Sequence, residues 1–120
     1  MVRIGILGTA AIARPFFGAP LRHATITAIA SRSSSQAAAF AREFGIPAHF
    51  GSYDALLADP AIDAVYIPLP PSLHAEWTIR AARAGKHVLL EKPAAPSSAD
   101  VERMLEACAS TRVLYMEAFM

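Results

Sequence analysis

The sequence is poor in the residues that announce disulfide, metal or membrane chemistry. Its 120 residues contain one cysteine, Cys108, so no internal disulfide can form. No Cys/His cluster has metal spacing, and no metal site is expected. Such cysteine usage points to the cytoplasm. No apolar run approaches the roughly 18 residues that a membrane helix needs. The opening Met1-Val2-Arg3-Ile4-Gly5 leads straight into strand-like sequence and does not read as a signal peptide. Charge of one sign is lacking too. Eleven Lys and Arg against ten Asp and Glu leave a net charge of +1, with the basic residues scattered. That balance argues against nucleic acid and against an anionic membrane surface as partners. Repeats, low-complexity tracts and linkers are missing, so residues 1–120 read as one domain. What is abundant is apolar sequence. A hydrophobic content of 54% with 18% charged residues excludes disorder and allows a proper core.

The apolar residues fall into short runs separated by helical stretches. Strands are expected over Val2–Leu7, Thr25–Ala30, His49-Phe50, Ile62–Leu69, His87–Glu91 and Val113–Phe119. A short helix is expected to open in the small-residue turn Gly8–Ala13, with Pro15 near its start and Pro20 kinking it. A second helix, capped by Ser33 or Ser34, carries Phe40 and Phe44 and stops at Gly45. Further helices are expected over Ser52–Ala58, Ser72–Ala84 and Ser97–Ala109, where Ser97 and Asp100 resemble a capping box. Regular alternation with short connections predicts right-handed βαβ units. The fold class is therefore α/β, a Rossmann-like doubly wound parallel sheet of six strands in the order 3-2-1-4-5-6, with helices on both faces.

In such a sheet, ligands bind outside the carboxyl ends of the strands. Four segments reach that edge. After the first strand comes Gly8-Thr9-Ala10-Ala11-Ile12-Ala13, a variant of the dinucleotide fingerprint G-x-G-x-x-G/A with alanine in place of the second glycine. Gly8 permits the tight turn, and the helix start behind it offers N–H groups to phosphate. The plain alternative is an ordinary turn of small residues. After the second strand stand Ser31, Arg32 and Ser33, with no acid to bind the ribose 2′-hydroxyl of NAD. An arginine there suits the 2′-phosphate of NADP, although a surface arginine beside a helix cap would look the same. After the fourth strand, Pro68-Leu69-Pro70-Pro71 fixes an extended path and leads to His74. That histidine could contact cofactor or substrate, or serve as a capping or packing residue. After the fifth strand, Glu91, Lys92 and Pro93 are either delivered to the site edge or are solvated loop charges. His23, His49 and His87 lie beside strand starts and read as structural. Trp77, Tyr53 and Tyr66 read as core.

The segments VRIGILGTAAIA, IASRS, YIPLPPSLHAEW, GKHVLLEKP and LYMEAFM together resemble the amino-terminal half of the Gfo/Idh/MocA family of NAD(P)-dependent oxidoreductases. The resemblance covers nearly all of the sequence, and the EKP tripeptide is its most specific piece. It implies hydride transfer between NADP, with NAD as the alternative, and a sugar, polyol or diol. It implies cofactor contacts from Gly8, Thr9, Ala10, Ala11, Ile12, Ala13, Ser31, Arg32, Leu69, Pro70, His74, Glu91 and Lys92. Lys92 would also be catalytic, because oxidation of an alcohol needs a base for the hydroxyl proton and a partly desolvated lysine suits that task. Family members continue into a substrate-binding domain, which is not expected within these 120 residues. A chain without that domain could instead be a stand-alone dinucleotide module, self-associating through a surface near the sixth strand and the carboxyl edge. A methyltransferase-like nucleotide domain would leave the EKP run without a purpose.

Overall fold

The computed structural model describes residues 2–9, 23–92, 95 and 97–118. The expected helix around Ala10, Ala11, Ile12 and Ala13, with Pro15 and Pro20, lies outside the described residues, as does Pro93. The strands are β1 (Val2–Leu7), β2 (Ala24–Ala30), β3 (Ala48–Phe50), β4 (Ala64–Ile67), β5 (His87–Glu91) and β6 (Tyr115–Ala118). Among the described residues the helices are α1 (Ser34–Phe44), α2 (Tyr53–Leu57), α3 (His74–Arg83) and α4 (Ser98–Ser110). The six strands form one sheet in the order β3-β2-β1-β4-β5-β6, and every pairing is parallel. The expected topology is therefore observed.

Alternation along each strand sends side chains to two cores. Leu7, Ala28, Ala30, Val65, Ile67, Val88 and Leu90 meet Leu56, Ala81 and Met104 of α2, α3 and α4 on one face. Ile6, Ile29 and Tyr66 meet Ala41, Phe40 and Phe44 of α1 on the other. Gly5 explains how closely α2 approaches the sheet. A Cβ there would lie 2.7 Å from Leu56 Cδ2, so a side chain at this position would force Leu56 out of its packed place. At ~25 cal/mol per Å² of apolar area removed from water, the fully buried Leu and Ile side chains stabilise the fold by about 2 kcal/mol each.

Several boundaries differ from the sequence expectation. The fourth strand covers Ala64–Ile67 only, because Pro68 has no N–H to continue the ladder. The expected helix from Ser72 begins as a 3-10 turn over Pro71–Leu73, and α-helical geometry starts at His74. Ser33 and Ser52 cap α1 and α2 through hydrogen bonds from the N–H groups of Gln36 and Ala55. Ser97 likewise accepts from Asp100 N–H, but the Asp100 carboxylate pairs with Arg103 of the same helix. Two tethers fix the amino end of β4. The Arg3 guanidinium and backbone N–H both donate to the Asp63 carboxylate, at 2.8–3.1 Å. Lys86, buried just before β5, donates from Nζ to the carbonyls of Asp59 and Ile62, both at 2.7 Å. Burial lowers the Lys86 pKa, and Asp59 and Asp63 partly offset this.

Candidate dinucleotide site

The carboxyl ends of β1, β2, β4 and β5 bring the described site residues to one edge. β1 stops at Leu7, and Gly8 follows with φ +103°, a conformation that side chains rarely adopt. Its N–H donates to the Ala30 carbonyl at 2.7 Å, so the turn stays tied to the end of β2. A Cβ on Gly8 would lie 3.0 Å from Leu69 Cδ2, so the turn also rests on the chain leaving β4. Thr9 is half-buried beside it. Positions 10–13 of the fingerprint lie outside the described residues.

A cleft of about 360 Å³ opens next to this turn, lined by Thr9, Ser31, Arg32, Ser33, Gln36 and Tyr53. Ser31 is buried, and its hydroxyl accepts from the Ser33 N–H at 3.1 Å and lies 3.5 Å from Gln36 Oε1. Arg32 is exposed. Ser33 both caps α1 and lines the cleft, so the two readings of that serine hold together. Tyr53 is backed by Trp77, edge-on at 5.0 Å, and Arg80 covers the Trp77 ring at 4.9 Å while pairing with Asp54. The lining residues offer hydroxyls, an amide and a guanidinium, with no carboxylate among them. That donor set fits a phosphate and would repel no anion. A dinucleotide whose ribose carries a 2′-phosphate therefore fits this end of the edge. Gln36 and Tyr53 did not stand out in the sequence. Gln36 lies three residues beyond the cap, where a helix presents its first turn to the same side, and that spacing was the available signal.

Leu69 is buried and Pro70 exposed at the exit from β4. His74 is buried completely, and its ring meets the Leu69 carbonyl. Glu91 and Lys92 part company. Glu91, the last residue of β5, is 5% exposed, and the fully buried Tyr66 hydroxyl donates to its carboxylate at 2.6 Å. Burial first, and then the hydrogen bond to Glu91 and its charge, push the Tyr66 pKa well above the ordinary tyrosine value. Glu91 is thus no solvated loop charge, and Tyr66 is more than core filling. Lys92 is exposed at the carboxyl edge, one residue beyond β5. The three histidines read as structural lie elsewhere, and His87 Nδ1 accepts from the Leu114 N–H at 2.9 Å near the opposite edge.

Residues 2–119 match the family model of Gfo/Idh/MocA, the oxidoreductase family with an NAD-binding Rossmann fold. The chain belongs to the Gfo/Idh/MocA family. D-xylose 1-dehydrogenase (NADP(+)) 2 of Haloferax volcanii is 49% identical over 97% of this chain and 36% of its own length. An uncharacterized oxidoreductase of Rhizobium meliloti is 49% identical over 100% of the chain and 37% of its own. The crystal structure of a 3-ketoreductase from Actinomadura kijaniata, in complex with NADP and TDP-benzene, superimposes with a TM-score of 0.88 at 42% identity. That match covers 97% of this chain and 36% of the other. The chain thus spans little more than a third of the length of these Gfo/Idh/MocA relatives.

Proposed function

We propose that this chain is the NADP-binding part of an oxidoreductase acting on a sugar, polyol or diol. The observation that carries the proposal is the carboxylate-free cleft of Ser31, Arg32, Ser33 and Gln36 beside the Gly8 turn. NAD-specific sites of this architecture put an acid there, and this chain puts a cation and hydroxyls. NADP-dependent relatives support the reading. The bound cofactor would supply or accept the hydride. The chain's own residues bind and orient it: Gly8 to Ala13 around the pyrophosphate, Ser31 and Arg32 at the 2′-phosphate, Leu69 and Pro70 at the β4 exit. Lys92 would hold or take up the hydroxyl proton at Nζ, and Glu91, locked by Tyr66, would fix the strand end that carries it. Substrate contacts are assigned to a second domain of the family's kind, and a cytoplasmic location fits the single buried cysteine.

The test is a fluorescence titration of the chain with NADPH and NADH. NADPH should bind more tightly, and Arg32→Ala should weaken NADPH more than NADH. Equal loss for both would refute the phosphate role, and absence of binding to either would refute the proposal.

A second reading, a self-associating module, has one observation in its favour. An apolar cleft of about 490 Å³ includes Val2, Ile4, Leu89, Leu114 and Met116. It adjoins β6 as expected, but at the amino edge of the sheet instead of the carboxyl edge. Sedimentation showing a strict monomer at high concentration would refute this reading.

A further inference from the structure

The chain leaving β4 and the turn leaving β1 touch at the switch point, where β1 pairs with β4 and the strand order reverses. Leu69 makes that contact with the side-chain atom that lies 3.0 Å from a Cβ position on Gly8. Leu69 is itself held from behind. His74 Nε2 lies 2.5 Å from the Leu69 carbonyl oxygen. A carbonyl can only accept, so Nε2 carries the proton and the ring donates. The bond is not a helix cap: neither Leu73, ahead of α3, nor Pro70, ahead of the 3-10 turn, provides a side-chain cap. A fully buried imidazole is instead committed to a carbonyl five residues back, across a segment in which Pro70 is extended and Pro71 opens the 3-10 turn. With no exposed surface, His74 presents nothing for a ligand to touch.

We propose that His74 is a positioning residue for dinucleotide binding, whose Nε2–H seats Leu69 against Gly8 and so holds the β1 turn in place for the pyrophosphate. This rests on the dinucleotide reading given above. It replaces a direct cofactor contact, which the family resemblance implied for His74, with an indirect one.

The test uses the 120-residue chain and two ligands. NADPH needs the Gly8 turn and the cleft after β2, whereas adenosine 2′-monophosphate needs only the cleft. His74→Leu removes the donor and leaves a buried carbonyl without it, so NADPH affinity should fall about tenfold while adenosine 2′-monophosphate changes by less than about twofold. His74→Gln keeps an N–H near the Nε2 position and should restore NADPH affinity to within about threefold of wild type. If His74→Leu does not fold, His74→Asn, too short to reach Leu69, should show the same split. A purely structural role would weaken both ligands alike or neither, and either result overturns the inference, as does failure of His74→Gln to rescue. A wild-type chain that binds no NADPH overturns the dinucleotide reading and this inference with it. Normal wild-type binding with an insensitive, folded variant overturns the inference alone.

Discussion

The buried Tyr66–Glu91 pair makes the sharpest stability prediction. Tyr66→Phe removes one oxygen and leaves the ring in place, so packing against Ile6, Ile29 and Leu89 survives. What is lost is the donor to a carboxylate that water barely reaches. A hydrogen bond to a charged group contributes about 1.5–3 kcal/mol, and stranding the acceptor takes the loss towards the middle of that range, about 2 kcal/mol. For a domain of this size that corresponds to a fall in Tm of about 8 °C. Glu91→Gln keeps an acceptor for the tyrosine and should cost only about 1 kcal/mol. The double variant should therefore be less destabilised than the sum, with a coupling energy of about 1 kcal/mol or more. Urea unfolding followed by the fluorescence of Trp77, the single tryptophan, measures all three variants, with circular dichroism checking that the transition is two-state. Tyr66→Phe within about 0.5 kcal/mol of wild type, or strict additivity, would refute the claim that this bond holds the end of β5.

Three other perturbations follow from the same geometry. Gly8→Ala forces a side chain into φ +103° and against Leu69, so stability should fall by about 1–3 kcal/mol and NADPH should bind more weakly; thermal melts and titration check both. Arg3 holds the Asp63 pKa at about 2 by hydrogen bonds from its guanidinium and backbone N–H. A depressed carboxylate stabilises above its unfolded pKa and loses that contribution as pH falls through the folded value. Asp63→Asn should therefore melt below wild type at neutral pH, with the gap closing between about pH 4 and pH 2 in a series of melts. Lys86→Met leaves the carbonyls of Asp59 and Ile62 without their shared donor, and denaturant unfolding should register a loss of about 2 kcal/mol.

The sheet was legible because its strands are short apolar runs at regular intervals, a pattern that alternation and handedness turn into one strand order. Element ends were less legible where backbone chemistry overrode composition. Pro68 stops β4 two residues before the apolar run ends, and Pro71 turns the start of a helix into a 3-10 turn. The candidate edge was legible to the extent that it lies in contiguous segments, and the structure brings Gly8-Thr9, Ser31–Ser33, Leu69-Pro70 and Lys92 to the ends of their strands. Its supports were not, because each joins residues distant in sequence. Tyr66 and Glu91 are 25 residues apart, and periodicity assigns a face without naming a partner. Their meeting follows from register, since Tyr66 pairs with Leu89 and Glu91 lies two residues further along the same face. His74 reads in sequence as either a ligand contact or a packing residue, and Lys86 escaped for a different reason. A lysine between a helix and a strand looks solvent-facing in sequence, and only the fold reveals the carbonyls that draw both side chains inside.

The central claim is that the carboxyl edge of β1, β2, β4 and β5 is where this chain meets NADP. The most direct measurement is an amide chemical-shift map of the labelled chain as NADP+ is added. Saturable shifts are expected at Gly8, Thr9, Ser31, Arg32, Ser33 and Lys92, with Leu114, Met116 and His87 at the opposite edge unmoved. Shifts gathered at that opposite edge, or none at saturating cofactor, would contradict the claim.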